Sequence, residues 1–393
     1  MACRAENDSL DGGASGRWIQ GMNPACLPPG MVHRGCVIYP ETMAELAEAV
    51  REAQRSCMVV GAQTKPALSA AADALLVSTT RMRGIVEYEP TEYTFTARSG
   101  TPLTEVQAAL REHGQYLPFD PLLVEAGSTL GGTVAAGANG PGRIRFGGVR
   151  DFLVGVQWMD GEGTVLRGGG KVVKNAAGFD FPKLFCGSMG RLGILTEMTF
   201  KVFPQPPASL TASLECRDLA DALERMSFAA RQSWEMEALE IFEPHQLVMR
   251  MAGDGGALPL RMEQALNAME RPAQIMTDSE AVGFWAGQRE FSWAPTGASL
   301  LRIPLTAKHI SAVDALLQGM PHHFSAAGNV AWVAGVTDFA TLHAGLKSLE
   351  LTAIGWRGPV ARLGAEGPVS MERMVKGALD AVGRFPAFPH FIS

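Results

Sequence analysis

The first half of the chain alternates short apolar runs with an amphipathic segment. The run CVIYP predicts a strand, and ETMAELAEAVREAQ predicts a helix that is capped by Glu41 or Thr42 and has Leu46 and Val50 on its apolar face. The next run, CMVV, predicts a strand that ends at Gly61. This order predicts a β-α-β unit whose glycine turn is a place where backbone N–H groups often bind phosphate.

More strands and a second helix follow. The runs LLVST, GIVEYEP and TFTARSG predict strands, and TPLTEVQAALREHG predicts a helix with Thr101 or Thr104 at its start and Gly114 at its end. The segment FLVGVQWMDGEGTVLRGG predicts a hairpin whose turn is Asp160-Gly161. The run ILTEMTFKVFP alternates as a strand does and stops at a proline.

The pattern changes after the segment PQPPAS, where three prolines in four positions interrupt both helix and sheet. Beyond it, LTASLEC, MEALEIF and QLVMRM predict strands and RDLADALERMSFAARQ predicts a helix; a second pass runs through SLLRIPL, ISAVDALLQGM and NVAWVAG. We expect an α+β layer of antiparallel strands with helices on one face. The predicted division is a flexible N-terminal arm over residues 1–30, a first domain over 31–206 and a second over 207–393.

Composition and charge exclude several classes of protein. The 393 residues are 47% hydrophobic and 19% charged, so we expect a globular protein that is long enough for two domains. A net charge of −6 without a cluster of Lys and Arg argues against a nucleic-acid partner. The N-terminus lacks the basic start and apolar run of a signal peptide, and no run of about 18 apolar residues occurs. We therefore expect a cytoplasmic protein with no transmembrane segment.

The cysteines do not form a metal-binding pattern. They stand at positions 3, 26, 36, 57, 186 and 216, with no C-x-x-C pair and no histidine at metal spacing. We expect scattered buried thiols, no metal site and no Fe–S ligation by this chain.

Glycine is concentrated in one region. Between Gly127 and Gly193, 18 of the 44 glycines fall within 67 residues. Because glycine has no side chain and reaches φ > 0 without strain, this density predicts turns wrapped around a ligand, commonly a phosphate. Two nucleotide-binding fingerprints are absent: no G-x-G-x-x-G occurs, and GGGKVV lacks the earlier glycine and the Ser or Thr of a P-loop. A Rossmann dehydrogenase and a P-loop ATPase are therefore not expected.

Three loops remain as the candidate ligand site. They are GAQTK from Gly61, GSTLGG from Gly127 with its continuation to Gly140, and GSMGRLGILT from Gly187. Over about residues 35–206 these blocks resemble the FAD-binding domain of the vanillyl-alcohol oxidase family, also called the p-cresol methylhydroxylase type. The resemblance implies an α+β fold with a two-subdomain FAD-binding domain over residues 31–206. A smaller α+β cap domain with a closing helix would then span 207–393.

The resemblance also implies a FAD site in these loops. The first two loops would bind the pyrophosphate from opposite sides, and the backbone at the end of the third would contact the adenine or ribose. Lys65 either faces the flavin or a phosphate or is a solvated side chain at a loop tip, and Asp180 is expected to cap a helix. The implied cofactor-binding residues are Gly61, Ala62, Gln63, Thr64, Lys65, Gly127, Ser128, Thr129, Gly131, Gly132, Ala135, Gly137, Gly140, Gly193 and Ile194.

The first loop departs from a common feature of the family. Many relatives carry a histidine there that is joined covalently to the flavin, whereas GAQTK contains neither His nor Cys. We therefore predict noncovalent FAD.

Within the family the chain resembles the smaller FAD-binding subunit of bacterial glycolate oxidase, on the segments FDFPKLFCGSMGRLGILTEMTFKVFP, FWAGQREF and LLRIPL. That resemblance implies an oxidoreductase acting on CH–OH donors, which oxidises glycolate, a 2-hydroxy acid, to glyoxylate. The partners would be a catalytic flavoprotein subunit and an Fe–S subunit, and the complex would be peripheral on the inner membrane.

Catalytic groups are not evident in the second half. Oxidation of a 2-hydroxy acid by flavin requires a base for the hydroxyl proton and cations for the carboxylate. Arg289 and Arg302 are the candidates for such a cationic lining, with a surface salt bridge as the alternative, and the pair His322-His323 is expected in a solvated turn.

Other functions stay open. A stand-alone FAD-dependent dehydrogenase of another 2-hydroxy acid or alcohol is the main alternative. A reductase like the UDP-N-acetylenolpyruvoylglucosamine reductases shares the fold but needs a nicotinamide site and a proton donor. A non-enzymatic scaffold with a degenerate pocket is the third.

Overall fold

The computed structural model describes residues 37–71, 73–170 and 179–391, so the predicted N-terminal arm lies outside the described residues. The chain opens with the predicted β-α-β unit. Thr42 caps its helix, with Glu45 completing the capping box, so one of the two predicted caps is confirmed. The three strands are parallel in the order β1-β3-β2. The elements are β1 (Val37–Ile38), α1 (Met43–Glu52), β2 (Cys57–Val60) and β3 (Leu75–Ser78), with a 3-10 turn at Pro66–Ser69.

An antiparallel sheet forms the rest of the N-terminal half. Five strands pair in the order β4-β5-β9-β7-β8, and β6 pairs with β10. Alternating apolar side chains of these strands pack with α2 and α3 into one core. The elements are β4 (Ile85–Glu89), β5 (Thr94–Arg98), α2 (Leu103–Glu112), β6 (Gln115–Tyr116), α3 (Leu130–Ala136), α4 (Arg143–Phe146), α5 (Val149–Phe152), β7 (Leu153–Met159), β8 (Val165–Gly169), α6 (Phe181–Phe185), β9 (Ile194–Lys201) and β10 (Phe203–Pro204).

Two local predictions need correction. Helix α2 begins after Pro102, which makes no side-chain cap, so the predicted caps Thr101 and Thr104 are wrong. The Thr101 hydroxyl instead donates to the carbonyl of Arg98 at 2.7 Å, which takes it away from the helix end. The β7–β8 hairpin is confirmed, but its turn is longer than two residues because the Asp160 carboxylate accepts hydrogen bonds from the backbone of Glu162 and Thr164.

The C-terminal half is built on one antiparallel sheet of nine strands, in the order β14-β11-β13-β12-β16-β17-β15-β18-β19. The predicted α+β character is confirmed. The elements are β11 (Ala208–Glu215), α7 (Leu219–Ala230), β12 (Met236–Phe242), β13 (Gln246–Gly253), α8 (Leu258–Met269), β14 (Ala273–Ile275), α9 (Asp278–Glu290), β15 (Leu300–Pro304), α10 (Ile310–Leu317), β16 (His322–Ser325), β17 (Val330–Ala334), α11 (Phe339–Ser348), β18 (Thr352–Arg357), β19 (Arg362–Gly364) and α12 (Val369–Leu379).

Different helices pack on the two faces of this sheet. Helices α7, α8, α10 and α11 bury one face, as predicted. Helix α9 departs from the prediction, because Trp285 packs against Ala238 and Val248 on the other face and donates a 2.8 Å hydrogen bond to the Thr211 hydroxyl. An amphipathic stripe tells that a helix packs on a sheet, but not on which face.

The second face of the sheet also meets the N-terminal half. A shared apolar cluster joins Leu123 and Met189 to Phe291, Trp332 and Trp356. The closing segment after α12 returns to the N-terminal half as well: Phe385 is buried in its core and the carbonyl of Arg384 accepts from the Cys57 N–H. The division at residues 206 and 207 therefore stays a prediction, since the end of the chain packs on the first part.

No helix within the described ranges is both long enough and apolar enough to cross a lipid bilayer.

Candidate cofactor site

A cleft opens where the three predicted loops meet. Its floor is the end of β2, and its sides come from the loop after β2, the start of α3 and the loop before β9. The predicted site residues in its lining are Gly61, Ala62, Gln63, Thr64, Lys65, Thr129, Gly131, Gly132, Ala135 and Gly193.

Hydrogen bonds hold the first two loops together. The hydroxyls of Thr64 and Ser128 lie 2.8 Å apart, and the Lys65 ammonium donates to both at 3.0 Å. Thr129 caps α3 by accepting from the Gly132 N–H. Two segments that are more than sixty residues apart in sequence thus form one wall.

The third loop is attached through a buried arginine. Arg191 is 2% exposed, and its Nη2 donates to the carbonyls of Leu68 at 3.0 Å and Ala70 at 3.3 Å. Burial, with a smaller repulsion from Arg362, lowers the pKa of Arg191 to about 10, and the side chain remains charged at neutral pH. Arg191 therefore ties the loop before β9 to the turn that follows the first loop.

Several glycines of the site are required by protein neighbours. A Cβ on Gly61 would lie 2.4 Å from Thr129 Oγ1, one on Gly131 would lie 2.8 Å from the Ser99 Cβ, and one on Gly190 would lie 2.4 Å from Val59 Cγ1. Such distances are shorter than any real carbon contact. The glycine density thus lets the loops pack on one another as they form the cleft.

Five predicted site residues lie outside the lining. Ser128 supports it from behind through Thr64 and Lys65. Gly127 forms a left-handed turn, and Gly137 ends α3 in the left-handed region. The remaining two are Gly140, where a Cβ would strike the Asp120 carbonyl oxygen at 2.4 Å, and Ile194, which is fully buried in the core.

The cofactor-binding residues implied by the sequence did not include the lining from strand ends, nor several residues of the third candidate loop besides Gly193. Ser99 follows β5 and its backbone carbonyl accepts from the Gly131 N–H, a contact that the motif Ser-Gly at a strand end does not reveal. The missed residues are Met58, Val59, Val60, Leu68, Ser69, Thr79, Ser99, Ala136, Ser188, Met189, Gly190 and Leu195.

The cleft contains polar groups whose hydrogen-bonding capacity is unused. The hydroxyls of Ser99 and Ser188 are buried in the lining without a partner among the described residues. Within the same ranges, no hydrogen bond is made by the backbone N–H groups of residues 61 to 64. Because buried hydroxyls without partners are costly, the two serines favour a polar ligand in the cleft.

Comparison with known proteins agrees with this geometry. Residues 35–169 match the FAD binding domain family. The chain is 34% identical to glycolate oxidase subunit GlcE of Escherichia coli (strain K12) over 253 residues, which are 64% of this chain and 69% of the relative. The chain belongs to this family of FAD-binding oxidoreductases.

Two further matches extend the comparison, one in sequence and one in fold. The chain is 31% identical to a D-2-hydroxyglutarate dehydrogenase of Xanthomonas citri pv. viticola (strain LMG 965 / NCPPB 2475 / ICMP 3867 / CFBP 7660) over 216 residues, which are 54% of this chain but only 45% of that enzyme. A crystal structure of p-cresol methylhydroxylase with substrate bound superposes with a TM-score of 0.68 at 14% identity, over 89% of this chain and 87% of that one. The fold is therefore of the p-cresol methylhydroxylase type.

FAD is the cofactor of this family, and the cleft suits it. Met58, Val60, Leu68 and Leu195 give apolar walls, while the loops and the two unpartnered serines offer donors. FAD supplies a two-electron acceptor when bound, and the loops would hold its pyrophosphate. Among the described lining residues there is no His, Cys or Tyr. Noncovalent binding stays a prediction.

The candidate catalytic arginines are not among the lining residues of the cleft. Arg302 on β15 donates from Nη1 to the Gly137 carbonyl at 3.0 Å, and burial followed by repulsion from Arg143 lowers its pKa to about 10. Arg289 on α9 lines a separate polar cleft with Tyr116 and Asp120. Neither is brought to the lining, and Arg302 is not a surface salt bridge.

Two expectations about charged side chains are wrong. The pair His322-His323 lies in strand β16 and is buried, because the strand sits in the middle of the nine-stranded sheet. His323 stacks on Phe242, and burial, with repulsion from His322, lowers its pKa to about 3. Lys65 is 6% exposed, so the solvated alternative for this residue is also wrong.

Proposed function

We propose that the chain is the FAD-binding subunit of a glycolate oxidase complex. The complex would oxidise glycolate to glyoxylate, with a catalytic flavoprotein subunit and an Fe–S subunit as partners, and would lie peripherally on the inner membrane. The similarity to GlcE, which covers more than two thirds of that subunit, supports this proposal.

The main support for the proposal is the set of side chains that line the cleft. Lys65 is the single ionisable side chain among its described lining residues. A flavin enzyme that oxidises a 2-hydroxy acid unaided needs a base at the hydroxyl and cations at the carboxylate. One lysine does not fill both roles, so the chain is suited to hold FAD and to act with a catalytic subunit.

The sheet of the C-terminal half strengthens this interpretation. Its side chains near Lys65 are aromatic: the Lys65 ammonium lies 5.3 Å from the ring centre of Trp356, which packs at 4.7 Å on Trp332. Phe291 fills the space beside Trp332, again at 4.7 Å. The three aromatic side chains are 3% exposed or less and occupy the region where these elements meet Lys65.

A stand-alone FAD-dependent dehydrogenase of another 2-hydroxy acid is the second candidate. The similarity to a D-2-hydroxyglutarate dehydrogenase favours it. Burial lowers the pKa of Lys65 to about 8, although Glu290 raises it slightly, and a lysine with this pKa is able to act as a base. This candidate would give Lys65 the role of general base.

Reconstitution tests the proposal. The chain is mixed with the catalytic flavoprotein and Fe–S subunits, and glycolate-dependent reduction of an artificial electron acceptor is measured for the full set and with each subunit omitted. The proposal predicts that omission of this chain abolishes turnover by the complex. Full turnover without it, or turnover of glycolate by this chain alone, would overturn the proposal.

A further inference from the structure

The Lys65 side chain has no counter-ion in the part of the chain that the structure describes. Its ammonium donates to the hydroxyls of Thr64 and Ser128, both neutral, and its third side faces the Trp356 ring. No carboxylate of the described residues lies within 4.0 Å of it. The residue is nevertheless 6% exposed.

The carboxylate that acts on Lys65, that of Glu290, already accepts hydrogen bonds from other groups. Glu290, on α9, acts on Lys65 only through space, and its carboxylate accepts hydrogen bonds from the backbone of Glu125 at 3.0 Å and Ala126 at 3.1 Å. Glu290 is thus held as a cap of a neighbouring loop and is not available to neutralise the ammonium.

An unpaired ammonium in a buried site is costly, and proteins lower this cost either by loss of the proton or by pairing with an anion. Lys65 lies in the lining of the FAD cleft, next to the loop amides of residues 61 to 64. The missing anion would therefore be part of the ligand.

We propose that Lys65 is the counter-charge for an anionic group of bound FAD, and that binding of FAD is coupled to protonation of Lys65. This inference rests on the proposed FAD-binding role of the chain. The anion is either the pyrophosphate or the reduced isoalloxazine ring, and the two share the same chemistry: a buried negative charge that accepts from the ammonium.

The sign of the coupling follows from the lysine's environment. In the free protein, burial lowers the pKa of Lys65 to about 8, so the amine is largely neutral at pH 9 and largely protonated at pH 7. An adjacent anion raises that pKa, and the amine takes up a proton from solvent when FAD binds above pH 8. The affinity for FAD should therefore fall as pH rises, by roughly tenfold between pH 7 and pH 9.

The experiment uses the full chain stripped of flavin. Its dissociation constant for FAD is measured by quenching of flavin fluorescence from pH 6.5 to 9.5, and proton uptake is measured calorimetrically at pH 9 in two buffers of different ionisation enthalpy. For the oxidation state in which the anion faces Lys65, we expect about a tenfold loss of affinity from pH 7 to pH 9, and close to one proton taken up per FAD at pH 9. At pH 6.5 the uptake should be near zero.

Two variants isolate the lysine. Lys65→Met should bind FAD at least tenfold more weakly at pH 7 and lose the pH dependence. The fold, followed by circular dichroism, should be kept because the hydrogen bond between the Thr64 and Ser128 hydroxyls still joins the two loops. Lys347→Met, at an exposed position on α11, is the control and should keep the wild-type affinity and pH profile. A Lys65→Met protein with the wild-type profile would overturn the inference.

Two ligand arms distinguish the sources of the anion. If the pyrophosphate is the partner, oxidised FAD shows the coupling and riboflavin, which lacks phosphate, does not. If the reduced ring is the partner, the coupling appears only after reduction with dithionite. Binding that is independent of pH in both oxidation states overturns the inference alone, whereas no FAD binding at any pH overturns it together with the proposed function.

Discussion

Gly61 and Thr129 approach so closely that a methyl group on Gly61 would lie 2.4 Å from the Thr129 hydroxyl oxygen. Gly61 directly follows strand β2, whose end forms the floor of the cleft. Thr129 caps helix α3 on the other side of the cleft. The contact therefore fixes how closely two walls of the FAD site stand together.

The first prediction is that Gly61→Ala weakens FAD binding and destabilises the fold by about 1–3 kcal/mol, because the added methyl overpacks a tight contact. Thermal denaturation and a FAD titration measure both effects. Gly283→Ala is the matched control: its Cβ would meet nothing within 4 Å inside helix α9, so it should stabilise by about 0.5–1 kcal/mol.

A double variant sharpens this test. Thr129→Ala removes the hydroxyl that the new methyl would contact. The same change also removes the N-cap of helix α3, which should lower the free energy of unfolding by about 1 kcal/mol. Gly61→Ala combined with Thr129→Ala should therefore be less destabilised than the sum of the two single changes. Strict additivity would show that the contact does not limit the site.

The second prediction concerns the ion pair between the two halves of the chain. Asp120 accepts from Arg250 and from the Gly142 N–H, and both ionic side chains are 14% exposed or less. Asp120→Asn should lower the free energy of unfolding by about 3 kcal/mol, because Arg250 would lose its closer carboxylate and keep, among the described residues, Glu237 at 3.6 Å. Urea denaturation measures the change.

The control for this prediction is an exposed ion pair. Glu41 pairs with Arg81 at 2.9 Å on the surface, so Glu41→Gln should change stability by less than about 0.5 kcal/mol. Equal effects of Asp120→Asn and Glu41→Gln would contradict the assigned role of Asp120.

The third prediction is a pH dependence that originates at Glu240. This side chain is fully buried and accepts from the Ser325 hydroxyl and the Ala326 N–H, and burial raises its pKa to about 8 against the weaker opposing effect of those hydrogen bonds. The folded state thus binds a proton that the unfolded chain has lost above its ordinary pKa. The contribution of Glu240 to the free energy of unfolding therefore decreases as pH rises towards 8, and it is constant above pH 8.

Glu240→Gln removes that titration and keeps a neutral acceptor for Ser325. The stability of the variant relative to wild type should therefore increase between pH 6.5 and pH 8, by at most about 1.4 kcal/mol per pH unit. Within that window the folded-state pKa of His323, about 3, keeps this side chain neutral in both proteins, so the titration of His323 in the unfolded chain cancels in the difference between them. A stability difference that does not change with pH would contradict the shifted pKa.

The fourth prediction is noncovalent FAD. The described lining residues offer no His, Cys or Tyr through which the flavin could be attached. Acid precipitation of the holoprotein should release all yellow colour into the supernatant. Colour that stays with the pellet would show a covalent bond.

Local patterns allowed most of the longer strands, helices α1, α2, α7 and α10, and the loops that form the cleft to be predicted. Thr42 and Asp180 cap their helices as their sequence context suggests, because capping depends on residues within one turn. Pro102 displaced the expected cap of α2, since its own fixed φ is compatible with the position just before a helix.

Features that depend on distant contacts were not predictable. Lys65 is buried because Trp356, from the other end of the chain, packs over it. The sequence of the loop around Lys65 does not indicate this contact. His322 and His323 are buried by strands on both sides. Ile194 follows the glycine loop but points into the core, since alternate residues of a strand face opposite ways.

The most direct test of the account is anaerobic mixing of the isolated holoprotein with glycolate while the flavin absorbance is followed. We expect the flavin to stay oxidised with the chain alone, because the cleft lacks a complete set of groups for glycolate oxidation, and to be reduced once the catalytic flavoprotein subunit is added. Rapid bleaching of the flavin in the isolated chain would contradict the account and establish a self-sufficient dehydrogenase.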